Sequence, residues 1–269
     1  MRRIYNVTEQ WEAGEFPSGL AIGDSWFWYP NENLMRSLVH LPQLKEDNST
    51  VQLLGFNGAR LAEYVGAGRY AGDMKRYLSK GWREGFSEFY ISGAGNDAIK
   101  LKLALKADCS AVVKAEDCFD EEGLAHLLRD MSSAIGSLIH DILWAYRNDN
   151  KPMKHIFIQG YDYPVPDGRG FLNHVGWLKP AMDGARVAND IGFREALAAY
   201  LIDKLNDDVF KPYHRPDHGI YHVDTRNTLS RAANNYKDDW ANEMHPTSNG
   251  FAAIAQSWLP SFKRAGLTT

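Results

Sequence analysis

Ala21-Ile22-Gly23-Asp24-Ser25-Trp26 is an apolar run that breaks at a glycine and then presents a serine. A strand ending this way, with Gly23 permitting a sharp turn, leaves the Ser25 hydroxyl at the exposed strand end. Gly-Asp-Ser is also an ordinary turn sequence, in which Ser25 would do no more than cap the following helix.

The same pattern recurs outward from this stretch. Short apolar runs at 20–22, 51–54, 88–92, 155–159 and 219–223 are each bounded by Gly or polar residues and followed by a longer segment of helical spacing. Between about 120 and 147, Leu124, Leu127, Met131, Ile135, Leu138 and Ile142 recur at steps of three and four, which predicts one long amphipathic helix. A second helix carries Phe193, Leu197, Leu201 and Leu205. A third starts near Thr247 or Ser248 and buries Phe251, Ile254 and Trp258. Strands alternating with helices predict an α/β protein with a mostly parallel sheet covered on both faces. No linker-like boundary interrupts the pattern, so one domain over 1–269 is expected.

The bulk properties narrow the class. Hydrophobic residues make up 44% and charged residues 24% of the 269, which supports an ordinary globular core and excludes a disordered chain. The formal net charge is −4, from 30 basic and 34 acidic side chains spread along the chain. There is no basic stripe, so nucleic acid and anionic membrane are not expected partners. No apolar run approaches the roughly 18 residues of a membrane span. No apolar stretch follows Arg2 and Arg3, so no secretory leader is read and a cytoplasmic location is expected. Cys109 and Cys118 lie nine positions apart; a disulfide is sterically feasible, and free thiols in a reducing compartment are the favoured alternative. Two cysteines with no nearby histidine pair make a poor zinc site, and neither metal nor organic cofactor is expected.

Three more strand-end segments carry candidate chemistry. Gly55-Phe56-Asn57-Gly58-Ala59-Arg60 follows the second strand, and Ser92-Gly93-Ala94-Gly95-Asn96-Asp97 ends the third. Gly58 can offer its N–H unobstructed and Asn96 its amide N–H, the donors an oxyanion hole uses. Asn-Gly is first of all a turn signal, however, and Asn96-Asp97 reads equally as a helix cap. Trp240-Ala241-Asn242-Glu243-Met244-His245-Pro246-Thr247 precedes the last helix, and Pro246 restricts the backbone at His245. A lone histidine is more often structural than catalytic.

In combination these segments are specific. Gly-Asp-Ser near the N-terminus, a central Gly, an Asn-Asp pair and His-Pro near the C-terminus resemble, in that order, the four blocks of the SGNH (GDSL-type) hydrolases. The resemblance runs from Gly23 to Gly250. It implies a flavodoxin-like three-layer α/β/α sandwich with a five-stranded parallel sheet. It further implies Ser25 as nucleophile, His245 as general base, and Ser25 N–H, Gly58 N–H and the Asn96 side chain as oxyanion hole. Asp24 is read as structural, shaping the turn.

Two positions depart from the pattern. Position 94 is Ala where the third block usually has Gly, a change of one methyl that is expected to be minor. Three residues before the histidine, where the family's acid usually stands, is Asn242. An amide oxygen can accept Nδ1–H and hold the tautomer, but it cannot balance the imidazolium with a full charge. Asp224, Asp239 and Glu243 are the carboxylates that could supply it, although each alone reads as ordinary surface charge. The expectation is that Asn242 orients His245 and no carboxylate is essential.

Trp26, Phe27, Trp28 and Tyr29 follow the serine directly; about half should face the core and the rest should wall a pocket. The irregular segment 160–180, with Tyr161, Asp162, Tyr163, Phe171, His174 and Trp177, follows a strand's C-terminal end and should line the same cleft. Trp26, Tyr161 and Asp162 are the expected substrate-contacting residues. The expected activity is hydrolysis of a carboxylic ester with a short to medium acyl chain or an O-acetyl group, on a small-molecule ester or an acylated carbohydrate. The alternative is a non-catalytic carbohydrate- or ligand-binding module that keeps the fold, for which the Asn242 departure is the sole support. A nucleotide-binding protein would need a phosphate-cradling Gly-rich loop leading into a helix, and none is present. Oligomeric state is not legible.

Overall fold

Phe89 and Tyr90 are neighbours on one strand and so point to opposite faces of the sheet. Phe89 packs on Tyr146 of the long helix Glu121–Tyr146, whereas Tyr90 meets Trp258 and Phe262 at the C-terminal end of the chain. Helices therefore cover both faces, as strands with no solvated side require. The computed structural model describes residues 3–6, 16–30, 32–45, 50–97, 100–148 and 154–269.

The sheet has six parallel strands: β1 (Arg3–Tyr5), β2 (Gly19–Gly23), β3 (Thr50–Gly55), β4 (Glu88–Ser92), β5 (His155–Gln159) and β6 (Ile220–Val223). Their order is β1-β3-β2-β4-β5-β6. Without β1, the other five follow the 2-1-3-4-5 order of flavodoxin-like sheets. The expected five-stranded sheet is thus present, and Arg3–Tyr5 extends it by one edge strand against β3. β2 lies in the middle, with Gly23 level with Gly55 on one side and Ser92 on the other. That register brings the C-terminal ends of β2, β3 and β4 together, where open α/β sheets bind ligands.

The expected helices form, each opened by a side-chain cap, of which the one at Thr247 was expected. Asp120 accepts from Gly123 N at the start of Glu121–Tyr146, and Asp190 caps Ile191–Lys204. Thr247 accepts from Gly250 N at the start of Ser248–Ser257. Such a cap contributes ~1 kcal/mol by satisfying one orphan N–H. Cys109 and Cys118 are both free and buried, and burial beside Cys109 pushes the Cys118 thiol up to about 12. Among the described residues, no helix is long and apolar enough to cross a membrane.

Candidate active site

Ser25 opens a single helical turn, Ser25–Trp28, directly after β2. Asp24 caps that turn by accepting from Trp26 N at 3.0 Å. Its carboxylate also accepts from Ser92 Oγ at 2.9 Å and Tyr161 OH at 2.7 Å, which ties the ends of β2, β4 and β5 together. Burial raises the Asp24 pKa, and these donors oppose that shift.

His245 arrives from the other end of the chain. Its Nε2 lies 2.7 Å from Ser25 Oγ. Only 9% of Ser25 and 7% of His245 are exposed, so little water competes for this contact. On the far side of the ring, Nδ1 lies 3.0 Å from Asn242 Oδ1. The same Oδ1 accepts the backbone N–H groups of Met244 and His245, both at 3.0 Å. A backbone N–H can only donate, so the atom facing Nδ1 is the amide oxygen and Nδ1 carries the proton. Nε2 is then left with its lone pair towards the serine hydroxyl. Burial alone lowers the His245 pKa to about 4, so the ring is neutral at pH 7.

Tyr29 completes this arrangement, and sequence reasoning assigned it no role beyond membership of an aromatic run. Its ring stacks on His245 with centroids 4.4 Å apart, and its OH accepts from Asn242 Nδ2 at 3.1 Å. Trp177 meets the imidazole edge-on, with centroids 5.7 Å apart.

Gly58, Asn96, Ser25 and His245 line one open cleft, together with Tyr29 and Trp177. Gly58 has φ 84°, a left-handed conformation for which glycine is the natural residue. Asn96 Nδ2 donates one hydrogen to Ala59 O at 3.0 Å, which aims the amide from beside the Gly58 turn. Asp97 Oδ2 accepts from Leu61 N at 3.2 Å and draws the same two loops together. Ala94 is the exception: buried, with φ 87°, it holds a conformation that L side chains rarely adopt. The methyl expected to be minor is therefore a source of strain.

Three candidate carboxylates are engaged elsewhere. Asp224 pairs with Arg226 at 2.6 Å, and Asp239 Oδ2 accepts from Ser230 N at 2.7 Å. Glu243 accepts four backbone N–H groups, from Gly168, Trp177, Leu178 and Lys179, at 2.6 to 3.0 Å. Among the described residues, no carboxylate is hydrogen-bonded to the His245 ring. Glu243 instead anchors the 168–179 loop that places Trp177, and a Cβ at Gly176 would stand 2.2 Å from its Oε2.

Trp26 and Phe27 are buried, while Trp28 and Tyr29 are half-buried; Trp26 and Tyr29 line the cavities beside Ser25, and Trp28 does not. Trp26 Nε1 donates to Met244 O at 2.9 Å, and its ring packs edge-on against Tyr161, so both rings act as walls. Asp162 needs correction as a polar substrate contact. Its oxygens accept from the N–H groups of Tyr163, Asn227 and Leu229, which leaves it a structural brace for the loop after β6. Among the described residues, no cluster of His, Cys, Asp and Glu is arranged to hold a metal ion.

Strand order and strand-end chemistry define a flavodoxin-like α/β/α protein with a serine, a histidine and two amide groups gathered at its switch point. In fold it is similar to the SGNH (GDSL-type) hydrolases. No family model and no curated protein matches the chain. Among solved structures, an extracellular lipase from Streptomyces rimosus is 17% identical, with TM-score 0.46, over 93% of this chain and 99% of that one. A member of the lipolytic G-D-S-L family from Veillonella parvula is 13% identical, with TM-score 0.44, over 91% and 98%.

Proposed function

We propose that the protein is a serine esterase that hydrolyses carboxylic esters through an acyl-enzyme on Ser25. The 2.7 Å contact between Ser25 Oγ and His245 Nε2, with the tautomer held by Asn242, is the observation that carries this reading. Ser25 Oγ attacks the ester carbonyl carbon as its proton passes to Nε2. The carbonyl oxygen takes the electron pair and is met by the Ser25 and Gly58 N–H groups and the Asn96 amide. The carbon–alkoxy bond then breaks, and the proton on Nε2 goes to the departing alcohol. Water repeats the sequence and releases the acid.

The amide partner sets the character of this base. Without a carboxylate on Nδ1, the imidazolium is poorly stabilised and readily gives its proton to the leaving group. Neutral imidazole in turn persists well below pH 6.5.

Labelling with a serine-directed organophosphonate and turnover of p-nitrophenyl acetate test the proposal together. One adduct per chain is expected, absent in Ser25→Ala, with turnover in that variant lower by about 10³-fold or more. Turnover that survives Ser25→Ala, or a native protein that neither labels nor hydrolyses, would overturn it.

A further inference from the structure

Ser25, Asn96 and Met244 stand between two cavities. One is the open cleft that His245 lines. The other runs inward and is walled by Trp26, Tyr161, Leu178, Ala198, Leu201 and Leu205. Three acids also border it, Asp24, Asp162 and Glu243, but both oxygens of each are already engaged. They accept from backbone N–H groups or, for Asp24, also from Ser92 and Tyr161. Apart from Ser25, Asn96 and Trp240, whose indole N–H has no partner among the described residues, what the inner cavity offers a ligand is hydrocarbon.

The serine-esterase reading above, on which this step rests, decides which half of the ester enters which cavity. The proton on His245 must reach the departing alkoxide, so the alcohol leaves on the histidine side, in the open cleft. The acyl substituent on the same tetrahedral carbon must point away from it. His245 does not line the inner cavity, whereas Ser25 and Asn96 line both. We infer that the inner cavity is the acyl pocket, that it takes a short unbranched acyl chain, and that Ala198 and Leu201 set the length limit.

The size follows from the space available. The inner cavity is much the tighter of the two, with far less room for water-sized groups than the open cleft. A slot that tight suits a short unbranched acyl chain rather than a long or branched one. Longer chains must displace Leu201 and Leu205, which are 3% and 1% exposed and packed in the core.

The test is kcat/KM for p-nitrophenyl acetate, butanoate and octanoate in the native protein, Leu201→Ala and Ala198→Leu. Each variant is read as a ratio to its own acetate value, so partial unfolding cancels. The native protein should favour butanoate over octanoate by about tenfold or more. Leu201→Ala should raise the octanoate-to-acetate ratio by about tenfold, and Ala198→Leu should lower the butanoate-to-acetate ratio by a similar factor. A flat chain-length profile, or ratios unmoved in both variants, would overturn the pocket assignment while Ser25-dependent acetate turnover leaves the esterase reading standing. Loss of acetate turnover from the native protein would overturn both.

Discussion

The side-chain oxygen of Asn242 accepts two backbone N–H groups and still faces His245 Nδ1 at 3.0 Å, so the amide cannot turn over without losing both. An asparagine at this position therefore acts as a fixed acceptor. It does what a carboxylate would do for ring orientation and nothing of what it would do for charge.

The acid limb of kcat/KM should reflect this. With His245 lowered to about 4 by burial, activity should persist to about pH 4 before protonation removes the base. Asn242→Asp places a negative charge beside Nδ1, which favours the imidazolium and should move that limb upward by 1–3 units, about the effect of a close opposite charge. A pH profile on p-nitrophenyl acetate checks both, and an unmoved limb in Asn242→Asp would contradict them.

Folding stability should carry the same signature. The unfolded His245 takes its proton near 6.5 while the native ring does so only near 4, so between these values the unfolded state binds more protons. His222, also buried and lowered to about 4, adds to this. Stability should fall as the pH drops from 6.5 towards 4, read as a declining urea midpoint in that window. A flat midpoint there would show that the two rings are not held neutral.

Tyr29 should separate stacking from hydrogen bonding. Tyr29→Phe removes only the acceptor for Asn242 Nδ2 and should cost less than about tenfold in kcat, because the backbone N–H groups still hold the amide. Tyr29→Ala uncovers the imidazole and should shift the acid limb towards 6.5 as water reaches the ring. Equal effects from the two changes would contradict this division.

Glu243 should govern stability more than chemistry. Glu243→Gln turns an NH₂ towards two backbone donors that now meet an oxygen, leaving them unsatisfied. A loss of ~3 kcal/mol in urea unfolding is expected, with the acid limb of kcat/KM unmoved. A shifted limb would instead make Glu243 an electrostatic partner of the base.

Ala94→Gly should stabilise the fold. It removes the methyl from a residue at φ 87°, and a net gain of ~1 kcal/mol is expected after glycine's entropic cost, read as a higher urea midpoint; an unchanged or lower midpoint would show that the methyl stores no strain.

The architecture was legible because buried parallel strands are written as unbroken apolar runs. All five longer strands and the helix Glu121–Tyr146 lie within a residue of their expected bounds, and the two helices expected only from their core positions form at Ile191–Lys204 and Ser248–Ser257. The edge strand Arg3–Tyr5 was not: three residues carry no period, and only the β3 edge beside them makes a strand of them. Ser25 and His245 were legible as motifs, since turn chemistry is local. The partners of Glu243 and Asp162 were not, because each carboxylate serves N–H groups some 65 to 75 residues away, and nothing near either residue announces that distance. Ala94 could be seen as a departure, but its cost depends on a φ angle that the sequence does not state.

Glu243 and His245 sit two residues apart, one holding the loop that carries Trp177 and the other in contact with Ser25. The wall of the cleft and the imidazole beside Ser25 are thus anchored within three consecutive residues of the chain. A cleft wall and a catalytic candidate drawn from neighbouring positions leave little slack between them, so a loosened anchor at one is felt within two residues at the other.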